Sequence, residues 1–214
     1  MRPYAVALGA LLLITSCSKA PTPGAVPAPL ESVAQHGEDL YDAARGNDWT
    51  AASAHLDSLK RAAPELPVTG EGSGGMKEAV RSQLTVLDSS VKTHDRVATM
   101  RAANEVTRLA AELTHPYKPT VPFEITLLDY SGRELQLWSE VGDLEKLSDA
   151  TERLRRTWNA VRGRVEKRPG GTEAAARFEA LVARAESPTA AGDYAAVATA
   201  ILDEVDKLEQ LFAS

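Results

Sequence analysis

The sequence predicts an all-α protein, an up-and-down antiparallel helical bundle built from four quasi-repeated helical hairpins. Three observations support this fold class. Apolar residues recur every three or four positions in the 214-residue chain, no segment alternates apolar and polar residues as a strand would, and Gly- or Pro-bearing breakers separate the helical stretches. The clearest helical stripe is Leu144, Leu147, Thr151, Leu154, Trp158, Val161 and Val165.

The helical stretches recur at spacings of 47 to 50 residues, which predicts four hairpins. A short connection inside each hairpin places its two helices antiparallel. A packed bundle is favoured over a solenoid, because the chain lacks the consensus residues of the known helical repeats. The expected hairpins cover 31–66, 76–113, 123–166 and 172–213, within a body over 31–214.

The second helix of each hairpin is expected to begin after an aspartate, which can accept hydrogen bonds from the free N–H groups of the first turn. A glycine precedes three of these aspartates and is expected to end the previous helix in the left-handed conformation. The second connection, Thr93-His94-Asp95, has no Gly or Pro, so one long helix over 76–113 stays an alternative. The four aspartates are Asp48, Asp95, Asp143 and Asp193, and the glycines are Gly46, Gly142 and Gly192.

The amino-terminal residues 1–16 have the features of a secretory signal peptide, with a positive Arg2 followed by a short apolar run over 5–14. The run is too short to span a bilayer. Its end, Ile14-Thr15-Ser16-Cys17, resembles the lipobox of bacterial lipoproteins. That resemblance implies cleavage before Cys17, acylation of Cys17 and attachment to the lipid bilayer.

Residues 17–30 are expected to form the acylated cysteine and a proline-rich tether. Pro-rich chain adopts an extended conformation of about 3.1 Å per residue, so thirteen residues reach about 40 Å. The residue after Cys17 is Ser18 rather than aspartate. By resemblance to lipoprotein sorting in Gram-negative bacteria, this favours a periplasmic location on the outer membrane.

The composition excludes several function classes. The net charge is −6, which argues against a nucleic-acid partner. With Cys17 as the one cysteine, no intrachain disulfide forms. The sequence contains no phosphate-binding glycine loop and no nucleophile with a partner base, so no catalytic residue is predicted. None of the histidines is predicted to pair with another histidine, a cysteine or a carboxylate on one helix face, so no local metal site and no cofactor are expected. A metal site built from residues distant in the sequence stays open. The histidines are His36, His55, His94 and His115.

Residues 76–167 resemble the cytochrome b562 family of periplasmic four-helix bundles, most closely in GDLEKLSDATERLRRTWNAVRGR over 142–164. The resemblance implies a haem between an axial methionine and an axial histidine. The methionine falls on Met76, but the histidine position is Arg162, which cannot donate a lone pair to iron. His115, in the loop after the second of these helices, is the candidate replacement ligand.

These observations favour a membrane-anchored periplasmic lipoprotein with a non-catalytic helical module that is structural or binds another envelope protein. The alternative is a haem- or metal-binding four-helix-bundle protein of cytochrome b562 type, with electron transfer as its role; an enzyme with dispersed acid pairs also stays open. A basic stretch could dock a partner or anionic lipid, although basic residues near a helix end also stabilise the helix dipole. It comprises Arg153, Arg155, Arg156, Arg162, Arg164, Lys167 and Arg168.

Overall fold

The computed structural model of the chain describes residues 25–70, 72–187 and 190–213. In this part of the chain, 84% of the residues are helical and none lies in a strand. The prediction of an all-α protein is therefore confirmed. The predicted signal peptide, Cys17, Ser18 and the tether up to residue 24 lie outside the described residues.

The described residues form eight α-helices, and short 3-10 turns follow the second helix at Ala63–Glu65 and the fourth at His115–Tyr117. The second predicted hairpin contains two helices rather than one long helix, because residues 93–95 form a turn that interrupts the helix. The helices are α1 (Ala28–Arg45), α2 (Trp49–Ala62), α3 (Ser73–Lys92), α4 (Arg96–Thr114), α5 (Phe123–Val141), α6 (Leu144–Val165), α7 (Gly171–Ala185) and α8 (Ala191–Ala213).

Three of the four predicted aspartates cap helices. The side chains of Asp48, Asp95 and Asp143 accept hydrogen bonds from the N–H groups of Ala51, Ala98 and Lys146, at 2.9, 3.0 and 3.1 Å. The prediction for the fourth is wrong, because Asp193 lies inside the first turn of α8 and reaches back to the Ala190 N–H at 2.9 Å. A carboxylate in this position satisfies a free donor as the acidic half of a capping box does.

The prediction of a left-handed glycine is correct at Gly142, where φ is +81°, and wrong at Gly46, which is right-handed with φ −76°. It is also wrong at Gly192, which lies inside the first turn of α8 without a positive φ. At the α1–α2 connection, Asn47 takes the positive φ of +57°, and His94 does so at the α3–α4 connection with +54°. The His94 ring stacks on the Trp49 ring, with centroids 4.7 Å apart. A side-chain stack thus accompanies a turn that lacks glycine.

The helices pack as two sets of four. In the first four-helix set, α1–α4, each helix packs against the next and α1 also packs against α4. In the second four-helix set, α5–α8, neighbours pack in the same order and α5 packs against α8. The contact between α4 and α5 joins the sets, and the Tyr41 hydroxyl donates across the junction to the Arg133 carbonyl at 2.9 Å.

One glycine in each set permits the close approach of its first and fourth helices. A Cβ at Gly37 would lie 2.6 Å from Oγ1 of Thr107, and a Cβ at Gly132 would lie 2.8 Å from Cδ2 of Leu202. The second pair lies 95 residues after the first. The two sets therefore repeat the same contact at the same place.

Among the described residues, no helix is both long enough and apolar enough to cross a membrane.

Candidate functional site

The candidate binding site is a cleft between the two four-helix sets, walled by α3, α4, α5 and α6. Its cavity measures about 520 Å³, within the range of pockets that hold ligands. Three basic side chains, Arg101, Lys146 and Arg153, line it together with three acidic ones and the rings of Tyr130 and Trp138. Charged groups and aromatic rings thus face the same space.

A hydrogen-bonded group on α4 and α5 fixes one side of the cleft. Glu134 is only 7% exposed, and its two carboxylate oxygens accept hydrogen bonds from two side chains. Trp138 Nε1 donates to one oxygen at 2.8 Å, and Asn104 Nδ2 donates to the other at 2.9 Å. The same Asn104 nitrogen also lies 3.1 Å from the Tyr130 carbonyl. Buried polar groups held in this way give the cleft a fixed shape.

The acidic residues of the cleft already have partners. Glu134 is held by Trp138 and Asn104, and the Glu105 carboxylate accepts a hydrogen bond from Arg108 Nε at 2.9 Å. Asp149 lies 4.0 Å from the Lys146 ammonium. Two of the three carboxylates therefore lie beside a cation, and the third, Glu134, is held by two neutral donors.

Two arginines of the cleft have no acidic partner among the described residues. The Arg153 guanidinium lies over the Tyr130 ring, 5.4 Å from its centroid, and its Nε is buried without a hydrogen-bond acceptor. Arg101 lines the same cavity and forms no ion pair in the described part of the chain. A guanidinium forms strong hydrogen bonds with an oxygen anion, so the cleft suits a ligand that supplies a carboxylate.

The cleft extends beyond this first cavity. A second cavity of about 390 Å³ shares Glu105, Tyr130 and Arg153 with it and continues along α4, α5 and α6 to Thr157. The Arg153 side chain lies where the two cavities meet. This elongated form suits an extended segment of polypeptide better than a compact small molecule.

The other arginines of the predicted basic stretch mostly have partners. Arg155 pairs with Glu179 and Glu186 at 2.7 Å, and its hydrogen bonds lower the pKa of both carboxyls. Arg162 pairs with Glu179 and Glu166. Arg164 pairs with Glu124. These pairs tie α6 to α7 and α5, whereas Arg153 faces the cleft and has no acidic partner among the described residues.

Met76 and His115 line one small cavity of about 330 Å³, which also includes Thr69 and Pro116. Met76 is half-buried, His115 is exposed, and the His115 ring meets Phe123 edge-on with centroids 4.9 Å apart. Arg162, at the position of the axial histidine in the family resemblance, is held by carboxylates on α6 and α7 instead.

The prediction that no histidine pairs with a carboxylate on one helix face is wrong at His36, which lies beside Asp39. His36 on α1 and His55 on α2 have their Nδ1 atoms 3.3 Å apart, and the Asp39 carboxylate lies beside both. His36 and Asp39 are three residues apart on one helix face, a spacing visible in the sequence. The contribution of His55 depends on how α2 packs against α1, which no local pattern gives.

A second group of acidic residues surrounds Arg133 where α1, α5 and α8 meet. Arg133 pairs with Asp129 at 2.7 Å and with Asp42 at 2.9 Å. Burial, with a contribution from the Asp129 charge, raises the pKa of Glu38 to about 8. Burial raises the pKa of Glu209 to about 7, again with a contribution from Asp129. More carboxyls than cations lie in this region, which favours the protonated form of two of them.

No family model, curated protein or solved structure matches this chain significantly.

Proposed function

We propose that this chain is a lipid-anchored lipoprotein of the bacterial envelope whose helical body is a non-catalytic binding module. The cleft between the two four-helix sets receives an acidic, extended segment of another envelope protein. The observation that carries this proposal is the pair Arg101 and Arg153, which have no acidic partners among the described residues and line the same cavity as Tyr130 and Trp138.

The charge distribution supports an acidic partner. The chain as a whole carries a charge of −6, so the surface outside the cleft repels an acidic protein in general. Arg101 and Arg153 form no ion pair among the described residues, so their positive charges are left to attract the carboxylates of an acidic segment. A guanidinium binds a carboxylate through two parallel hydrogen bonds. Tyr130 and Trp138 add apolar area of the kind that is frequent at protein interfaces.

The amino-terminal pattern supports the anchor. Acylation of Cys17 after cleavage would hold the body at a membrane surface, and Ser18 favours the outer membrane. The tether would let the body reach a partner some distance from the lipid. Together, anchor and tether raise the local concentration of the cleft near other envelope proteins.

We also propose that the body is an up-and-down antiparallel bundle of four quasi-repeated hairpins. The connections support this, because only residues 46–48, 93–95 and 142–143 separate the helices of the first three pairs. Such short connections favour antiparallel neighbours. The 95-residue repeat of Gly37 at Gly132 supports an internal duplication of a pair of hairpins.

Mass spectrometry of the amino-terminal peptide tests the anchor. Envelope fractions of cells expressing the full chain should yield a peptide that begins at an acylated Cys17, without residues 1–16. A Cys17→Ala variant should lose the acyl mass and leave the membrane fraction. A mature protein that retains residues 1–16 in the cytosol would overturn this part of the proposal.

In-cell photo-crosslinking tests the cleft. A photoreactive residue at Val86, which lines the cavity, should crosslink one envelope protein through a segment rich in Asp and Glu. The matched control is the same photoreactive residue at Val141, an exposed position on α5 outside the cleft. An adduct through a neutral or basic segment, or equal adducts from both positions, would contradict the proposal.

A second candidate function is haem binding of cytochrome b562 type. The observation that favours it is that Met76 and His115 line one cavity. Both a thioether sulfur and an imidazole nitrogen can ligate haem iron. The pair that the family resemblance implies, Met76 with residue 162, does not suit haem, because Arg162 is a cation that pairs with two carboxylates.

Absorbance after expression with added haem separates the two functions. Haem binding at this cavity predicts a Soret band that is lost in Met76→Ala and in His115→Ala. The binding-module proposal predicts a colourless protein whose crosslinks at Val86 are unchanged by either substitution.

A further inference from the structure

Three side chains on α1 and α2 bring metal-ligating atoms together on the outer surface of the first four-helix set. His36 Nδ1 and His55 Nδ1 are 3.3 Å apart. Oδ2 of Asp39 lies 3.9 Å from the first nitrogen and 3.5 Å from the second. Two imidazoles and a carboxylate are a common ligand set for zinc.

The size of this triangle fits a transition-metal ion. Three ligand atoms bound to zinc at about 2.1 Å lie about 3.4 Å apart in a tetrahedron and about 3.6 Å apart in a plane. The three observed distances bracket these values. The point in the plane of the three atoms that is equidistant from them lies about 2.1 Å from each atom. This distance is a zinc–ligand bond length. The ligand atoms therefore need little movement to bind the ion.

A neighbouring side chain holds the carboxylate in the required orientation. Gln35 Nε2 donates a hydrogen bond to Oδ1 of Asp39 at 2.9 Å, which leaves Oδ2 to face the two imidazoles. Hydrogen bonds of this kind orient metal ligands and raise affinity. The side chains of His36, His55 and Asp39 are 30%, 29% and 36% exposed, so an ion can enter from solvent.

We propose that His36, Asp39 and His55 form a binding site for a divalent transition-metal ion, with zinc as the best match. Imidazole nitrogens favour zinc, copper, iron and nickel over magnesium and calcium, which prefer oxygen ligands. The three protein ligands leave a fourth position for water or for a donor group of a partner. The ion would link α1 to α2 and would stabilise the folded chain by mass action.

Metal titration of the purified full chain tests the site. A Cys17→Ser background removes the one thiol that could compete for the ion. Zinc should bind with one-to-one stoichiometry and a micromolar dissociation constant, measured by calorimetry after chelator treatment. Cobalt should give visible absorption bands of a four-coordinate ion that zinc then abolishes.

Single substitutions assign the binding to these residues. His36→Ala and His55→Ala should weaken zinc binding at least about 100-fold, and Gln35→Ala should weaken it about 10-fold because only the orientation of Asp39 is lost. His115→Ala is the matched control, since it removes an exposed histidine from another part of the chain, and it should leave the affinity unchanged. Circular dichroism should show the same helix content in every variant.

Two results would overturn the proposal. One is the absence of zinc and cobalt binding at a metal concentration of about 1 mM. The other is binding that His55→Ala leaves intact, which would place the ion elsewhere. A thermal melt gives a second readout: zinc at 100 times its dissociation constant should raise Tm by about 5 °C or more in the parent protein. The same zinc concentration should leave the Tm of His55→Ala unchanged.

Discussion

Asp39 and Glu134 occupy equivalent positions in the two four-helix sets, 95 residues apart on α1 and α5. Each carboxylate lies two residues after a glycine that contacts the fourth helix of its set, Gly37 in the first and Gly132 in the second. Their surroundings differ. Asp39 is 36% exposed and faces two imidazoles, whereas Glu134 is 7% exposed and accepts hydrogen bonds from an indole and an amide.

This difference arises from the residues around the carboxylate rather than from the backbone. At the positions equivalent to His36 and His55, the second set has Ser131 and Ala150. Neither of these can ligate a soft metal ion. The α4–α5 junction covers Glu134 and leaves Asp39 at the surface. A repeated helical framework can therefore carry two chemistries at one position when its neighbours differ.

The largest expected difference between the two sets concerns these carboxylates. Glu134→Ala leaves the Trp138 indole N–H and one of the two Asn104 amide N–H groups without an acceptor, and should lower the free energy of unfolding by about 3 kcal/mol. Asp39→Ala, at the surface, should change it by less than about 0.5 kcal/mol. Urea denaturation of metal-free protein measures both. Equal losses for the two variants would refute the comparison.

The two glycines give the next largest effect. Ala at Gly37 would press its Cβ against Thr107 and lie 3.3 Å from the Ala103 carbonyl, so Gly37→Ala should destabilise by about 1–2 kcal/mol. Ala at Gly132 meets mainly the flexible end of Leu202, which can move, and lies 3.2 Å from the Cγ2 methyl of the buried Ile201. Its smaller cost is offset by the higher helix propensity of Ala, so Gly132→Ala should be close to neutral. A larger loss in Gly132→Ala would reverse this ranking.

The helix caps should behave alike in the two sets. Asp48 and Asp143 lie 95 residues apart, and each accepts one hydrogen bond from the N–H group three residues on. Asp48→Ala and Asp143→Ala should each cost about 1 kcal/mol of unfolding free energy. Asn at either position keeps an acceptor and should restore most of the stability. Clearly different losses of unfolding free energy in Asp48→Ala and Asp143→Ala would argue against equivalent local structure at the two helix starts.

The smallest effect is a difference in pH response. The pKa of Glu209 is about 7 in the folded protein and 4.5 ordinarily. Between these values the folded chain holds a proton that the unfolded chain has lost, so stability falls as pH rises from 4.5 to 7. Solvent screening should keep this change below about 1 kcal/mol. Glu209→Gln should make that part of the stability curve less steep and leave the fall that Glu38 causes, because burial raises the pKa of Glu38 to about 8.

Asp88, on α3 of the first set, should respond in the opposite direction. Hydrogen bonds from Lys60 and Lys92 lower its pKa to about 2 from 3.8. Its stabilising contribution is therefore present above pH 3.8 and is lost as pH falls to about 2. The free energy of unfolding of the parent protein and that of Asp88→Asn, measured as a function of pH, should differ in their pH dependence only below about pH 3.8.

The helices could be predicted from the sequence because their determinants are local. Apolar spacing gave the helical stretches, and Asp48, Asp95 and Asp143 gave three helix starts. The predicted helix start at Asp193 is wrong because an aspartate inside the first turn of a helix and an aspartate just before the helix give the same local sequence pattern. The predicted left-handed conformation of Gly46 is wrong because the neighbouring Asn47 also tolerates a positive φ and adopts it instead.

The candidate sites depend on contacts between distant parts of the chain. Arg153 belongs to a run of basic residues that look alike in the sequence. The partners that neutralise Arg155 and Arg164 lie on α7 and α5, so only the packed structure distinguishes Arg153 from its neighbours. The His36–His55 contact likewise depends on the packing of α1 against α2.

The most direct test of the binding-module account is the yield of the Val86 crosslink in two arginine variants of the full chain. Arg153 lines the cleft, whereas Arg156, one turn further along α6, is 68% exposed and pairs with Glu152. The account predicts that Arg153→Gln reduces the adduct with the acidic segment at least about tenfold, a loss of one charged contact, and that Arg156→Gln leaves it unchanged. An adduct that survives Arg153→Gln, or that both substitutions reduce equally, would contradict the account.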